Sequence, residues 1–270
     1  MTRFVVVPQW QGSPAARAML LVDGAEAIAG DLPRAATARV DVPAEAGEAL
    51  ETGIRRFSAL HRVADALTAE LAVSDEAALI VGGDCGVAVP AIAHYAARHP
   101  ELAVVWFDAH GDLNTAATSP SGAFGGMALR AVHESGPVPG SGAVTADRLV
   151  LVGARDLDPG EAVHLAESDI RSVAADAIGD GAAIAAAVAA TGAEAVYIHV
   201  DLDVLDPAEL TGVTRPTPFG LTLRELTAAI AAARRTLPLV GASIAGFAPA
   251  SPAAAVDDLG TILRVVGALA

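Results

Sequence analysis

Two short acidic motifs have the residue types and spacing of a metal site. Asp108, His110 and Asp112 alternate in "WFDAHGDLN", and Asp201 and Asp203 alternate in "HVDLDVLDP". Side chains two positions apart in extended backbone point the same way, so each motif can direct its polar groups at one point. Two unit charges about 4 Å apart interact by roughly 4 kcal/mol at an effective dielectric constant near 20. Four converging carboxylates therefore require cations between them, and two divalent ions would balance their charge.

The ligand types narrow the choice of metal. Carboxylate oxygens with a single imidazole suit Mn²⁺ better than they suit a structural zinc site. Alternatively, these acids are helix caps or solvated loop residues. That interpretation requires two separate clusters to be accidental, so the sequence favours a site for two divalent ions.

A parallel sheet is the element that would position these motifs. Short β-branched runs alternate with alanine-rich helical stretches, which predicts a parallel sheet with helices on both sides. The predicted strands cover residues 4–7, 78–81, 103–107, 149–152, 195–200 and 239–243. The predicted helices lie near residues 14–29, 47–70, 88–98, 158–167, 181–190, 223–235 and 254–268.

Polar motifs follow four of these strands. They are "GGDCG" at 82–86, "DAHGD" at 108–112, "GARDLDPGE" at 153–161 and "DLDVLDP" at 201–207. Ligands of open α/β sheets bind beyond the carboxyl ends of the strands, so the four motifs should meet at one edge. The stretch 112–145 is predicted to be a long functional loop around one short helix. No linker interrupts the chain, and residues 1–270 are predicted to form a single domain.

The composition limits the classes of partner. The net charge of −15 argues against binding to nucleic acid or to an anionic membrane surface. Cys85 is the only cysteine, which rules out an intrachain disulfide and fits a reducing cytoplasm. The N-terminal residues do not have the pattern of a signal peptide, and no apolar run is long enough for a membrane span. We therefore expect a cytoplasmic protein with a small-molecule partner.

In combination, the four motifs resemble the arginase–agmatinase (ureohydrolase) family. The resemblance runs from about Gly82 to the C-terminus. It implies a three-layer α/β/α hydrolase with a parallel central sheet. It also implies two Mn²⁺ ions bridged by a hydroxide, which attacks the trigonal carbon of a guanidine or amidine.

The same motif matching assigns roles to the acidic residues. Asp108 and Asp201 would bridge both ions. His110 and Asp203 would complete one metal site, and Asp112 would complete the other. Asp112 would also hold the hydroxide and pass its proton to the leaving nitrogen.

The loop after the second motif indicates the substrate. "DLNTAATSPSG" resembles the arginase loop that holds an α-carboxylate, and the implied contacts are Asn114, Ser119 and Ser121. Asp158 matches the residue that receives the α-amino group, with Glu161 near it. This set is more similar to arginase than to agmatinase, whose substrate has no α-carboxylate. Alternatively, these residues only form turns and caps, which they favour anyway.

Three positions depart from the family pattern. Cys85 stands where most members have a His ligand to the first metal. As a thiolate it would favour Zn²⁺ or Fe²⁺; alternatively, it is a buried thiol that binds no metal. Gly125 stands where arginase has a proton-shuttling His, and Gly246 stands where arginase has a Glu that clamps the guanidinium.

The departures at Cys85 and Gly125 together resemble a branch of the family, the Nω-hydroxy-L-arginine amidinohydrolases. N-hydroxylation makes a guanidine less basic, so it needs less of a carboxylate clamp and less help from a proton donor. The departures are equally consistent with lost catalysis. His199 and His133 are not expected to replace the missing groups, and His199 is expected to be a core or supporting residue.

We therefore predict a binuclear-metal amidinohydrolase that hydrolyses the guanidino group of arginine or of a modified arginine such as Nω-hydroxy-L-arginine. Mn²⁺ is the expected metal, with Zn²⁺ or Fe²⁺ as alternatives. The alternative function is a metal-binding family member without hydrolase activity, with a regulatory or structural role. Family members are commonly trimers or hexamers, so a homo-oligomer is expected.

Overall fold

The computed structural model describes residues 3–270. Its eight strands form one sheet in which every adjacent pair is parallel. The strands are β1 (Arg3–Val7), β2 (Thr37–Arg39), β3 (Ala78–Gly82), β4 (Leu102–Phe107), β5 (Leu149–Val152), β6 (Arg171–Val173), β7 (Ala195–Asp201) and β8 (Leu239–Ala245). Their order across the sheet is β2-β1-β3-β8-β7-β4-β5-β6.

Helices cover both faces of the sheet. They are α1 (Leu20–Gly30), α2 (Phe57–Leu71), α3 (Ala88–Ala96), α4 (Ala128–His133), α5 (Pro159–Glu167), α6 (Ala182–Ala189), α7 (Leu223–Thr236) and α8 (Pro252–Leu269). Helices α1, α6, α7 and α8 pack on one face, and α2, α3 and α4 pack on the other. Successive side chains of a strand point to opposite faces, so Val104 and Val105 belong to different cores. The predicted three-layer α/β/α fold is confirmed.

The six predicted strands are all present, but the two strands at the edges of the sheet were not predicted. Strands β2 and β6 have three residues each, and most of their side chains are partly or fully exposed. A strand without a continuous buried run has no clear apolar signal in the sequence. Edge strands are also commonly short and polar, which limits their pairing with other chains.

Two predicted helices begin later than expected. Helix α2 begins at Phe57 instead of residue 47, because Gly47, Leu50 and Gly53 all have positive φ angles. Helix α1 begins at Leu20 instead of residue 14. The residues before it instead run along the edge of the sheet that carries the polar motifs, where Ser13 lines a cavity.

The register of the central strands positions the acidic motifs. Strands β4 and β7 are neighbours, and Phe107 pairs with Val200. The next residue on each strand is an aspartate, so Asp108 and Asp201 emerge side by side at the carboxyl edge. The predicted loop at 112–145 contains one short helix, α4, as expected. Among residues 3–270, no helix is long and apolar enough to cross a membrane.

Candidate metal centre

One group of possible ligands surrounds Asp108 on the side of β7. The Nδ1 atom of His110 lies 3.3 Å from Asp108 Oδ1 and 3.0 Å from Asp203 Oδ2. All three side chains are buried. One ligand atom from each lies within 4.8 Å of the others. Two carboxylates and one imidazole therefore converge on a single point.

A second group shares Asp108 with the first. Ligand atoms of Cys85, Asp108 and Asp112 also lie within 4.8 Å of one another. The Cys85 thiol donates a hydrogen bond to Asp201 Oδ2 at 2.8 Å, which brings the fourth aspartate into this group. Because Asp108 belongs to both groups, the arrangement has the form of two adjacent metal positions with a shared carboxylate.

The buried carboxylates favour positive charge in the cavity, as the pKa shifts of their neighbours indicate. Burial alone would lower the pKa of His110, but hydrogen bonds from the ring to Asp108 and Asp203 raise it to about 11. Burial and the charge of Asp203 raise the pKa of Asp201 to about 7. Burial, followed by the charges of Asp108 and Asp201, raises the pKa of Asp112 well above its usual range. Cations placed among these carboxylates would replace the protons that they otherwise retain.

Two buried atoms without hydrogen-bond partners fit this interpretation. Asp112 Oδ2 and His110 Nε2 both lack a partner, although buried polar atoms of native proteins are nearly always paired. A bound metal ion would satisfy the carboxylate oxygen of Asp112. His110 Nε2 lies 3.6 Å from Asp156 Oδ2, and this negative charge favours the tautomer that keeps its proton on Nε2 and leaves Nδ1 free to bind a metal. The residues present therefore fit a pair of divalent ions.

Hydrogen bonds to the carboxylates fix their orientation. The indole Nε1 of Trp106 donates to Asp108 Oδ2 at 3.1 Å, and the backbone N–H of His110 donates to Asp108 Oδ1 at 2.7 Å. The backbone N–H of Asp203 donates to Asp201 Oδ1 at 2.9 Å. The backbone N–H of Ala109 donates to Asp203 Oδ1 at 3.1 Å. The ligand geometry is thus built into the ends of β4 and β7.

Asp84 was not predicted to have a role, but it supports the cavity from outside the ligand set. Its carboxylate accepts hydrogen bonds from Gln9 Nε2 at 2.8 Å, from the Gly12 N–H at 2.8 Å and from the Gly86 N–H at 2.9 Å. Burial raises the pKa of Asp84 to about 6. Its position in "GGDCG", next to Cys85, is the sequence signal that could have identified it.

The predicted substrate residues line the same cavity as the predicted ligands. Asn114 Nδ2 donates to Asp158 Oδ2 at 2.8 Å. Ser119 Oγ accepts the N–H of Gly122, and Ser121 Oγ accepts the N–H of Ala123. These bonds are the turn contacts that the alternative interpretation requires. A hydroxyl that accepts one hydrogen bond can still donate its proton, so the turns do not exclude binding of a carboxylate.

Glu161 connects two segments that line the cavity, one at Leu113 and one at Asp158. Its Oε1 accepts the backbone N–H of Leu113 at 3.0 Å, and its Oε2 accepts the backbone N–H of Asp158 at 2.8 Å. Asp158 is the N-cap residue of α5. The buried Glu161 carboxylate therefore joins the start of α5 to the loop that follows Asp112.

The cavity is small and opens into a wider vestibule. Its volume is about 80 Å³, and that of the vestibule is about 650 Å³. Ser121, Asp158 and Arg215 line both spaces. Sequence analysis did not identify Arg215, which also forms an ion pair with Asp156 at 3.4 Å. A single arginine in the loop "GVTRPTP" has no spacing pattern that would reveal its location.

The two glycines that depart from the family pattern also line the cavity. Gly246 has a φ of +91°, and a Cβ atom added there would lie 2.2 Å from Asp201 Oδ1. The N–H of Gly125 donates to the Gly12 carbonyl at 2.8 Å, and an added Cβ would lie 3.0 Å from that oxygen. With this backbone, a side chain at 246 collides with a predicted metal ligand.

The remaining histidines lie away from the cavity. His199 is fully buried, stacks against Trp106 with ring centroids 3.9 Å apart, and has its Nδ1 2.7 Å from Ser243 Oγ. It is thus a core residue, as predicted, and it packs behind the indole that binds Asp108. His133 lies at the end of α4, 3.1 Å from His164.

Comparison with known proteins agrees with the fold and the motifs. The arginase family model matches residues 27–259. The chain is 35% identical to the arginase of Bacillus caldovelox over 203 residues, which cover 68% of each chain. The arginase structure from Bacillus subtilis has a TM-score of 0.83 and 25% identity, and covers 100% of this chain and 98% of that one. The Entamoeba histolytica arginase in complex with L-ornithine has a TM-score of 0.85 at 21% identity, covering 100% and 99%, and shows the fold alone.

The match begins at residue 27, well before the first motif at residue 82, so it extends the resemblance seen in the sequence. Members of this family are metal-dependent hydrolases that act on C–N bonds of linear amidines, and they bind small-molecule substrates. The chain belongs to the arginase family.

Proposed function

We propose that this protein is a binuclear-metal amidinohydrolase whose substrate is an α-amino acid with a guanidine of reduced basicity, such as Nω-hydroxy-L-arginine. One observation carries the proposal. A single cavity combines the two ligand groups, the predicted amino-acid contacts and two glycines where arginase has a shuttle and a clamp. Membership of the arginase family, whose model matches residues 27–259, supports the reaction class.

The proposed metal ligands are the residues of the two groups and the aspartate that contacts the thiol. They are Cys85, Asp108, His110, Asp112, Asp201 and Asp203. When bound, the cations supply Lewis-acid activation of water near neutral pH. Mn²⁺ is the proposed metal because the donors are mostly oxygen, and a thiolate from Cys85 would increase the affinity for Zn²⁺ or Fe²⁺.

Asp112 is the proposed acid–base residue. Its carboxylate has two oxygens, and the one that does not bind metal can accept a proton from water and deliver it to the departing nitrogen.

The amino-acid end of the substrate would bind at the rim. Ser119, Ser121 and Asn114 offer donors for an α-carboxylate, and Asp158 offers an acceptor for the α-ammonium group. Arg215 adds a positive charge where the cavity meets the vestibule. A decarboxylated substrate such as agmatine would leave these donors without a partner, which costs binding free energy.

The guanidine end would bind beside Gly246. A carboxylate clamp cannot extend from this position without moving Asp201, because the first side-chain atom would already lie 2.2 Å from its oxygen. A charge-assisted hydrogen bond to a buried group is worth about 1.5–3 kcal/mol. Without this bond, the affinity for L-arginine should fall by roughly tenfold to a hundredfold. The affinity for a neutral N-hydroxyguanidine should fall much less.

The test is a comparison of kcat/KM for Nω-hydroxy-L-arginine, L-arginine and agmatine at one saturating Mn²⁺ concentration, with release of hydroxyurea or urea as the signal. We expect activity in that order. Agmatine as the best substrate would contradict the amino-acid contacts, and L-arginine as the best substrate would contradict the argument from the glycines. If Mn²⁺ binds and none of the three is hydrolysed, the non-catalytic alternative is favoured.

Three further predictions belong to this proposal. All described strands share one sheet, which supports a single domain for residues 1–270. The absence of a second cysteine is consistent with a cytoplasmic location. A homo-oligomer follows only from the family resemblance and stays a prediction.

A further inference from the structure

A second cluster of possible metal ligands lies outside the cavity. It consists of His133 at the end of α4, Glu134 directly after it, and His164 in the last turn of α5. All three residues are partly buried. One ligand atom from each lies within 4.8 Å of the others. None of them lines the catalytic cavity or belongs to the ligand groups there.

The geometry of the two imidazoles suits a shared metal ion. Their Nε2 atoms lie 3.1 Å apart, the ring centroids are 5.0 Å apart, and the ring planes differ by 9°. Two nitrogens bound to one zinc at about 2.0–2.1 Å in tetrahedral geometry are separated by roughly 3.3 Å. The separation of the two histidine nitrogens therefore matches that of two ligands on one zinc ion to within a few tenths of an ångström.

We propose that His133, Glu134 and His164 form a Zn²⁺ site that links α4 to α5. Two imidazoles and one carboxylate are a ligand set that zinc accepts, and water would complete the tetrahedron. The ion would join the loop that follows the metal motif to the helix that begins at Asp158.

The ionisation and the neighbouring charges are compatible with this site. Burial, and then the neighbouring His164, lower the pKa of His133 to about 4, and burial lowers the pKa of His164. Both imidazoles are therefore neutral at pH 7 and can bind a metal through nitrogen. Arg130 Nε lies 2.6 Å from Glu134 Oε2. A carboxylate has two oxygens, so this ion pair leaves Oε1 for the metal.

The location of the site gives it a structural consequence. The backbone N–H of Arg130 in α4 donates to the carbonyl of Asp112 at 2.9 Å. Zinc between α4 and α5 would thus fix the segment that carries Asp112 relative to the helix whose N-cap is Asp158. The site would stabilise the cavity without contacting the substrate.

The test measures the number of metal ions bound per chain. Protein loaded with Mn²⁺ is dialysed against a fixed micromolar concentration of free Zn²⁺, and total Mn plus Zn per chain is measured by mass spectrometry. Exchange of zinc into the catalytic centre does not change this sum. We expect H133A and H164A to bind one ion fewer than the unchanged protein, whereas the control H61A, which removes an exposed histidine of α2, should bind the same number.

A second readout covers the possibility that an alanine variant folds poorly. Zn²⁺ should raise the melting temperature of the Mn²⁺-loaded protein and of H61A, because a ligand that binds only the folded state stabilises it. H133Q and H164Q should lose this zinc-dependent rise. E134Q should retain part of it, because both imidazoles remain. Equal metal content and equal zinc-dependent shifts in all variants would show that the two histidines form only a hydrogen bond, which would overturn the proposal.

Discussion

Two walls of the cavity that holds the proposed metal ligands are built in different ways. The wall formed by the ends of β4 and β7 is dense with buried carboxylates, and hydrogen bonds from Trp106, Ala109 and neighbouring backbone fix their positions. The other, the glycine wall, presents backbone at Gly125 and Gly246, where the family pattern has side chains. The contrast suggests that metal chemistry and substrate recognition are separable in this fold: the first depends on strand ends, and the second on loops that can change.

The largest effect should come from Asp108, the shared ligand in the carboxylate-rich wall formed by the ends of β4 and β7. Asp108→Ala removes a carboxylate that belongs to both ligand groups, so both metal positions should weaken. Metal catalysis contributes several kcal/mol to transition-state stabilisation, and about 4 kcal/mol corresponds to roughly a thousandfold in rate. Metal content and kcat/KM should both collapse. Asp156→Asn is the matched control, because Asp156 faces the outer nitrogen of His110 and Arg215 but belongs to neither ligand group. This change should cost about 10–100-fold at most.

The next largest effect concerns the glycine wall. Gly246→Ala introduces a Cβ at a φ of +91° and 2.2 Å from Asp201 Oδ1. Left-handed strain and overpacking each cost about 1–3 kcal/mol, so the variant should lose roughly 2–6 kcal/mol of unfolding free energy and bind metal more weakly. Gly125→Ala, whose Cβ meets a carbonyl at 3.0 Å, should lose less than about 1.5 kcal/mol. Urea unfolding measures both, and equal losses would show that the two glycines have the same role.

A smaller effect is expected at Cys85, whose thiol donates a hydrogen bond to Asp201. Changes to an outer partner of a ligand cost about 10–100-fold in metal affinity, and Cys85→Ala should cost at least the lower end of that range. Cys85→His should bind two metals and prefer Mn²⁺ over Zn²⁺ relative to the unchanged protein. Titration with each metal gives the affinities. If Cys85→Ala binds both metals as well as the unchanged protein does, the thiol is a packing residue.

The smallest effect concerns the support behind the dense wall. Burial lowers the pKa of His199 to about 3 in the folded protein, whereas the pKa in the unfolded chain is near 6.5. Between about pH 3 and pH 6.5, therefore, the unfolded chain binds a proton at His199 that the folded protein does not bind. The stability from neutral His199 is therefore complete above pH 6.5 and is lost as the pH falls. Between pH 7 and pH 5 the loss should be about 2 kcal/mol.

Other groups titrate in the same range, and Asp201, whose pKa is raised to about 7, gains a proton in the folded state and opposes this loss. The measurement is therefore a difference. Urea unfolding of the unchanged protein and of His199→Gln is compared at pH 7 and pH 5. The unchanged protein should lose about 2 kcal/mol more, and equal losses would show that His199 is not buried in its neutral form.

The sequence was most informative where one pattern had a strong physical cause. Buried central strands give continuous apolar runs, and these predicted the strands that carry Asp108 and Asp201. The edge strands β2 and β6 lack such runs and were missed. Helix α2 was predicted too early because the pattern does not show that Leu50 and Glu51 adopt positive φ angles.

The residues missed in the site have a common property. Asp84 and Arg215 act through contacts with segments far away in the sequence, such as Gly12 and Asp156, and no local spacing indicates these contacts. The steric requirement for glycine at position 246 cannot be predicted from the sequence either. The oxygen that a side chain there would meet belongs to Asp201 on another strand. Motif spacing predicted which ligands could converge, whereas tertiary packing decided what else could enter the cavity.

The most direct test of the central claim is anomalous diffraction at the manganese edge from crystals grown with saturating Mn²⁺. The account predicts two peaks roughly 3.5 Å apart, as in other two-metal hydrolases. One peak should lie beside Asp108, His110 and Asp203, and the other beside Cys85, Asp108 and Asp112. A single peak, or none, would contradict the assignment of a binuclear centre to this wall of the cavity.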